Sequence, residues 1–107
     1  MSDVQQRIDE LVKGNRVMLF MKGNAQFHMC GFSGRAIQIM KACGVSQLKT
    51  FNVLEDEEIR QGIKDYANWP TTPQLYVNGQ FVGGSDIMTE MFESGELQTM
   101  VKEAESA

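Results

Sequence analysis

Apolar residues recur along the chain with two different periods, and each period marks an element. Val4, Ile8, Leu11 and Val12 stand three and four apart, the spacing of one helical face. Ser2 with Gln5 three residues later fits a capping box, and Gly14 is a stop, so the pattern predicts a helix over 3–13. Val17-Met18-Leu19-Phe20-Met21 is an unbroken apolar run of strand length, as expected of a strand covered on both faces. Lys22 to Met29 reads as a loop. Just after Cys30, Phe32, Ala36, Ile37 and Met40 share one helical face, and Gly44 ends it.

Residues 48–53 read as a strand. The acids between Glu55 and Glu58 suit a helix N-terminus, where the dipole favours negative charge, and Ile59, Ile63 and Tyr66 form the apolar stripe that follows. Trp69-Pro70-Thr71-Thr72-Pro73 breaks this helix. Gln74 to Val77, the turn dipeptide Asn78-Gly79, and Gln80 to Val82 give a strong hairpin signal. Helical pattern resumes near Asp86, and Gly95 divides it in two. The order is α-β-α-β-α-β-β-α-α. A strand-helix-strand unit joins parallel strands with right-handed connection, and a hairpin adds two antiparallel ones. One mixed four-stranded sheet with helices on both faces follows.

The chain has 107 residues, 42% hydrophobic and 22% charged, room for a single domain over 1–107 with one core. Fourteen acids against ten bases give a net charge of −4. No basic run is present, so neither nucleic acid nor an anionic membrane surface is an expected partner. The longest apolar run, Val17 to Met21, is far short of the roughly 20 residues of a membrane span. The N-terminus shows no secretory signal and is not an Arg-rich transit peptide. The expected location is cytoplasmic, or an organelle matrix if a transit peptide was removed.

The chain has two cysteines, Cys30 and Cys43, and one histidine, His28, too few for a four-ligand zinc site. Cys30 closes a loop and immediately precedes a helix, where free N–H groups and the dipole favour a thiolate. Lys22 in the same loop adds positive charge. Cys43, beside Ala42 and Gly44 at the end of the apolar stripe, reads as a small core residue. Thirteen residues of helix at about 1.5 Å each set the two roughly 20 Å apart, beyond the ~7 Å reach of a disulfide. The residue three after Cys30 is Ser33, which cannot resolve a mixed disulfide, so an internal dithiol cycle is disfavoured.

Lys22-Gly23, Cys30-Gly31-Phe32-Ser33, Trp69-Pro70-Thr71, Pro73-Gln74 and Gly83-Gly84-Ser85-Asp86 together resemble the monothiol glutaredoxins of the C-G-F-S type. The likeness runs from about Val17 to Leu97. It implies a thioredoxin-like (glutaredoxin) fold, glutathione binding, a bridging [2Fe–2S] cluster and a role in iron–sulfur delivery. By the same resemblance, Cys30 is the cluster ligand and the reactive cysteine. Lys22 and Arg60 hold the glycine carboxylate of glutathione, with Lys64 one turn further along. Thr72, before a Pro73 that is cis in the family, offers its backbone to the tripeptide cysteine. Ser85 and Asp86 hold the γ-glutamyl end, and Ser85 also suits an N-cap.

The chain departs from the family pattern in three places. Asn24, Ala25 and His28 stand where a threonine and two prolines are usual, which predicts a less rigid loop. Ser85 replaces a common cysteine, and Thr72 a larger apolar residue. Because His28 occupies a proline position, it reads as a surface loop residue rather than a ligand.

A [2Fe–2S] centre takes four thiolates. One chain offers one accessible thiolate, so two chains and two glutathione thiols complete the set. The leading expectation is therefore a glutathione-dependent cluster carrier, homodimeric when loaded, that serves iron–sulfur client proteins. Two others share the same residues. One is a glutathione-dependent thiol–disulfide oxidoreductase using Cys30 with a second glutathione as resolving thiol. The other is an adaptor paired with a BolA-like protein.

Overall fold

The computed structural model describes residues 2–106. Its elements, in chain order, are α1 (Asp3–Lys13), β1 (Val17–Met21), α2 (Gly31–Ala42), β2 (Leu48–Asn52), a 3-10 turn (Val53–Glu55), α3 (Glu57–Ala67), β3 (Gln74–Val77), β4 (Gln80–Gly83), α4 (Ser85–Ser94) and α5 (Glu96–Ser106). The four strands form one sheet in the order β2-β1-β3-β4. β1 pairs with β2 in parallel and with β3 antiparallel, and β3 pairs antiparallel with β4. This is the mixed sheet that the element order predicts.

β1 is buried along its whole length because it is central and covered on both faces. Its side chains alternate as a strand requires. Val17, Leu19 and Met21 enter one core with residues of α2, α4 and α5, while Met18 and Phe20 enter the other, with α1 and α3. β3 divides in the same way, Leu75 and Val77 to the first core and Tyr76 to the second. In the second core the Tyr76 ring meets Phe20 edge-on at 5.8 Å, and Phe81 at 5.3 Å. The β3–β4 turn has positive φ at both Asn78 (51°) and Gly79 (78°), the geometry that makes this dipeptide a hairpin former.

Four local expectations need correction. Ser2 caps α1 by accepting the Gln5 N–H, but the Gln5 side chain does not return to complete the box. It donates instead to the Gly62 carbonyl on α3 at 2.9 Å, because α1 lies against α3 and a buried acceptor is within reach. Phe32 is not buried with the rest of its α2 stripe and is 59% exposed; Ser33 and Gly34 face inward in its place. Val53 belongs to the 3-10 turn rather than to β2. Ser85 is the first residue of α4, not its N-cap, which is Gly84.

Candidate functional site

The sheet positions the site. β1 ends at Met21 and hands the chain to the Lys22 loop, and β3 begins just after Pro73 beside that end. β4 finishes at Gly83 opposite Leu75, delivering the start of α4 to the same edge. These segments and α3 enclose a groove of about 590 Å³, within the usual range for a small-molecule site. Lys22, Cys30, Arg60, Thr72, Ser85 and Asp86 all line it, as does Lys64. The six residues singled out in the sequence are thus brought together without exception.

Cys30 caps α2 with extended backbone, its thiol partly exposed at the groove. Its pKa lies below the ordinary value of 9.0, first because the Ser33 N–H points at the sulfur. Partial burial opposes this shift, while the Phe32 N–H, the Lys22 charge and the Ser33 hydroxyl support it. Helix-end N–H groups therefore favour the thiolate over the thiol, as the loop–helix junction implies. Cys43 behaves oppositely. It packs half-buried on the core of α2, α4 and α5, and burial raises its pKa. Both cysteines are free.

The loop between β1 and α2 lacks proline yet is closed by hydrogen bonds. Asn24 Oδ1 accepts from the N–H groups of Gln26 and Phe27, and the Met29 N–H donates to the Lys22 carbonyl at 2.8 Å. His28 is exposed and lays its imidazole over Gly34, where a β-carbon would come within 2.8 Å of the ring. It is a surface loop residue, as its position implies. Among the described residues no group of three or more His, Cys, Asp or Glu is placed to hold a metal ion.

The peptide bond between Thr72 and Pro73 is cis. Lys22 supplies positive charge from the loop after β1, and Arg60 and Lys64 supply it from α3, on one face of the sheet. Ser85 and Asp86 come from the start of α4, on the other. Arg60 makes only a long contact of 3.8 Å to the exposed Glu57. An elongated anion with a polar far end suits this distribution.

This layout, one low-pKa thiol before a helix and a cis-proline beside it on a four-stranded mixed sheet, is matched by a known family. The Glutaredoxin family model matches residues 17–82. The chain belongs to the glutaredoxins, on their monothiol branch. It is 55% identical over 102 residues to an uncharacterized monothiol glutaredoxin of Synechocystis sp., covering 95% of this chain and 94% of that one. It is 49% identical to the mitochondrial monothiol glutaredoxin-5 of Schizosaccharomyces pombe, covering 95% and 71%. The solution structure of the reduced apo glutaredoxin S14 of poplar superimposes with a TM-score of 0.82 at 44% identity, covering 97% of this chain and 94% of that one. The thioredoxin-like glutaredoxin fold expected from the motifs is therefore the fold of this glutaredoxin.

Several groove residues carry no signal in the sequence beyond their motif. Trp69, read as a helix breaker and a motif residue, packs against Phe81 with tilted rings at 5.5 Å and lines the groove with its Nε1 buried and unpartnered. The Ser85 hydroxyl is likewise buried without a partner. Ser33, a motif residue that does not itself line the groove, is fully buried and accepts the Lys22 N–H at 3.0 Å.

Proposed function

We propose that the groove binds glutathione and that this glutaredoxin carries a [2Fe–2S] cluster between proteins. The observation that carries the reading is a single low-pKa thiol opening on the same groove as three cations. Lys22 and Arg60, with Lys64 beside them, take the glycine carboxylate by charge-assisted contacts. The Thr72 backbone pairs with the tripeptide cysteine. Asp86, Ser85 and the N–H groups opening α4 take the γ-glutamyl end. The tripeptide thiol then lies near Cys30.

The donor set fits a cluster only when it is shared. Cys43 is half-buried, with a raised pKa, on the core side of α2, which leaves Cys30 as the one thiolate at the groove. Two chains and two glutathione molecules supply the four thiolates. The cluster is cargo, held in part by exchangeable small thiols and passed to client proteins. A BolA-like protein is the alternative second subunit. The names of relatives place them in mitochondria and chloroplasts, and we assign this chain to the cytoplasm or an organelle matrix. No helix among the described residues is long and apolar enough to cross a membrane.

The same low thiol pKa favours the oxidoreductase reading, in which Cys30 attacks a glutathionylated disulfide and a second glutathione releases it. Reconstitution without oxygen, with iron, sulfide and glutathione, separates the two. A cluster carrier gives visible absorbance bands that co-elute with a dimer on gel filtration. A colourless monomer that turns over disulfides puts the oxidoreductase first.

A further inference from the structure

The strand-end residue Asn52 makes contacts that neither the motifs nor the groove lining accounts for. Its side-chain Oδ1 accepts two backbone hydrogen bonds, from the Gly23 N–H at 2.9 Å and from the Leu54 N–H at 3.0 Å. The first bond fixes the loop that carries Lys22. The second caps the 3-10 turn Val53–Glu55, which is anchored by the fully buried Val53 and leads directly into α3, the helix that carries Arg60. One oxygen atom therefore ties together the two segments that bear the groove's cations.

The Lys22 backbone is held on its other sides as well. Its N–H donates to the buried Ser33 hydroxyl and its carbonyl accepts from Met29, next to Cys30. Lys22 is thus fixed with respect to the thiol through α2, and with respect to Arg60 through the Asn52 side chain. β2 pairs in parallel with β1, which puts Asn52 opposite Met21, the residue just before Lys22. Reach and register both favour this bridge.

We infer that Asn52 is a positioning residue that sets the spacing of Lys22 and Arg60 for a carboxylate ligand. The inference rests on the reading that these two cations hold the glycine carboxylate of glutathione. Two point charges grip one carboxylate only when both stand at hydrogen-bonding distance, so loosening one segment against the other costs affinity even though neither cation is removed.

The test is a double-mutant cycle on the full chain, with glutathione as the probe and Trp69, the single tryptophan, as the fluorescent reporter of the dissociation constant. Asn52→Ala is expected to weaken binding about tenfold, the scale of one hydrogen bond to a charged group. In a Lys22→Met/Arg60→Met background the same change is expected to cost nothing more, because nothing is left to position. An effect on binding that does not pass through the two cations would instead act equally in both backgrounds, and that additive result would overturn the inference. Weakened binding in Lys22→Met/Arg60→Met with unchanged binding in Asn52→Ala would overturn it alone. Unchanged binding in Lys22→Met/Arg60→Met would overturn the carboxylate reading and the inference together. If Asn52→Ala does not fold, Asn52→Thr, which suits a strand end, takes its place in the cycle.

Discussion

Gly84 lies so close to Trp69 that a β-carbon at position 84 would stand 3.3 Å from the indole Nε1, and equally close to the Pro73 carbonyl oxygen. Neither neighbour has free room. Pro73 is buried at the start of β3, and the indole is packed on Phe81. The glycine is there for close approach, since its φ of −98° is open to any residue. Gly84→Ala is expected to cost about 1–3 kcal/mol of stability, the usual scale of overpacking. Because Trp69 and Pro73 line the groove, glutathione affinity should fall with it. Denaturant unfolding and ligand titration check both, and a variant unchanged in each would show that the wall can yield.

The two thiols should part company in their pH profiles. Thiolate, not thiol, is the species that alkylates. Cys30 titrates below the ordinary 9.0, chiefly through the Ser33 N–H, and Cys43 above it through burial. As pH rises from neutral, Cys30 modification should therefore reach its plateau first, with Cys43 lagging, as mass spectrometry of iodoacetamide-treated protein would show. By the same contrast, Cys30→Ser should abolish iron and sulfide binding while Cys43→Ser retains it. Equal loss in both variants would remove Cys30 from its assigned role.

The sheet and its helices were legible because local signals agreed: an all-apolar run for the central strand, Asn78-Gly79 for the hairpin, and helical stripes with stops. The residues that meet at the groove were legible through short motifs rather than through periodicity. Failures came where tertiary contacts decide. Phe32 has the spacing of a core residue and shares its stripe with the buried Ala36, Ile37 and Met40, yet in the first turn of α2 it stands out at the groove while Ser33 and Gly34 face inward. Gln5 had a local partner on paper and found a better one on α3. Asn52 bonds Gly23 from 29 positions away, and nothing in its neighbours along the chain announces that.

Turnover in a glutathione-coupled disulfide assay should be low. Ser33 sits where a dithiol enzyme would keep its resolving cysteine, and its hydroxyl is buried and engaged with the Lys22 N–H. A mixed disulfide on Cys30 can then be released only by glutathione from solution, so the rate should rise with glutathione concentration. A rate independent of glutathione would mean that an internal nucleophile exists after all.

Asp56 links α1 to α3. It accepts from Arg7 at 2.9 Å and from the Ile59 N–H at the first turn of α3. The Arg7 guanidinium, and then the Ile59 N–H, hold its carboxyl below the ordinary value of 3.8. A group with a depressed folded pKa adds stability above its unfolded pKa and loses it as pH falls through the folded value. Asp56→Ala should therefore melt at a lower temperature than the parent near neutral pH, and the gap should narrow once pH drops below the usual carboxylate range. A gap that stays constant through acid would mean that the charge plays no part.

Charge reversal in the groove tests the whole assembly. Arg60 is only partly engaged by Glu57, a long contact on an exposed side chain, and such pairs are worth at most about 1 kcal/mol. Its guanidinium is therefore available to a ligand at little cost. Lys22 is anchored by its backbone, through Ser33 and Met29, and among the described residues no ion pair holds its ammonium. Lys22→Glu with Arg60→Glu turns two attractions for a carboxylate into two repulsions while touching no core residue, since both side chains line the groove. The apo variant should keep its melting temperature within a few degrees, because surface substitutions away from special contacts change stability by only about 0.5 kcal/mol. Its cluster-loaded form should not assemble, since without bound glutathione each chain brings one thiolate and each iron stays short of ligands. Gel filtration with absorbance followed at the cluster bands reads both results at once. A cluster-bearing dimer that survives the double reversal, or that persists after glutathione is exhaustively removed, would show that the third and fourth thiolates come from elsewhere.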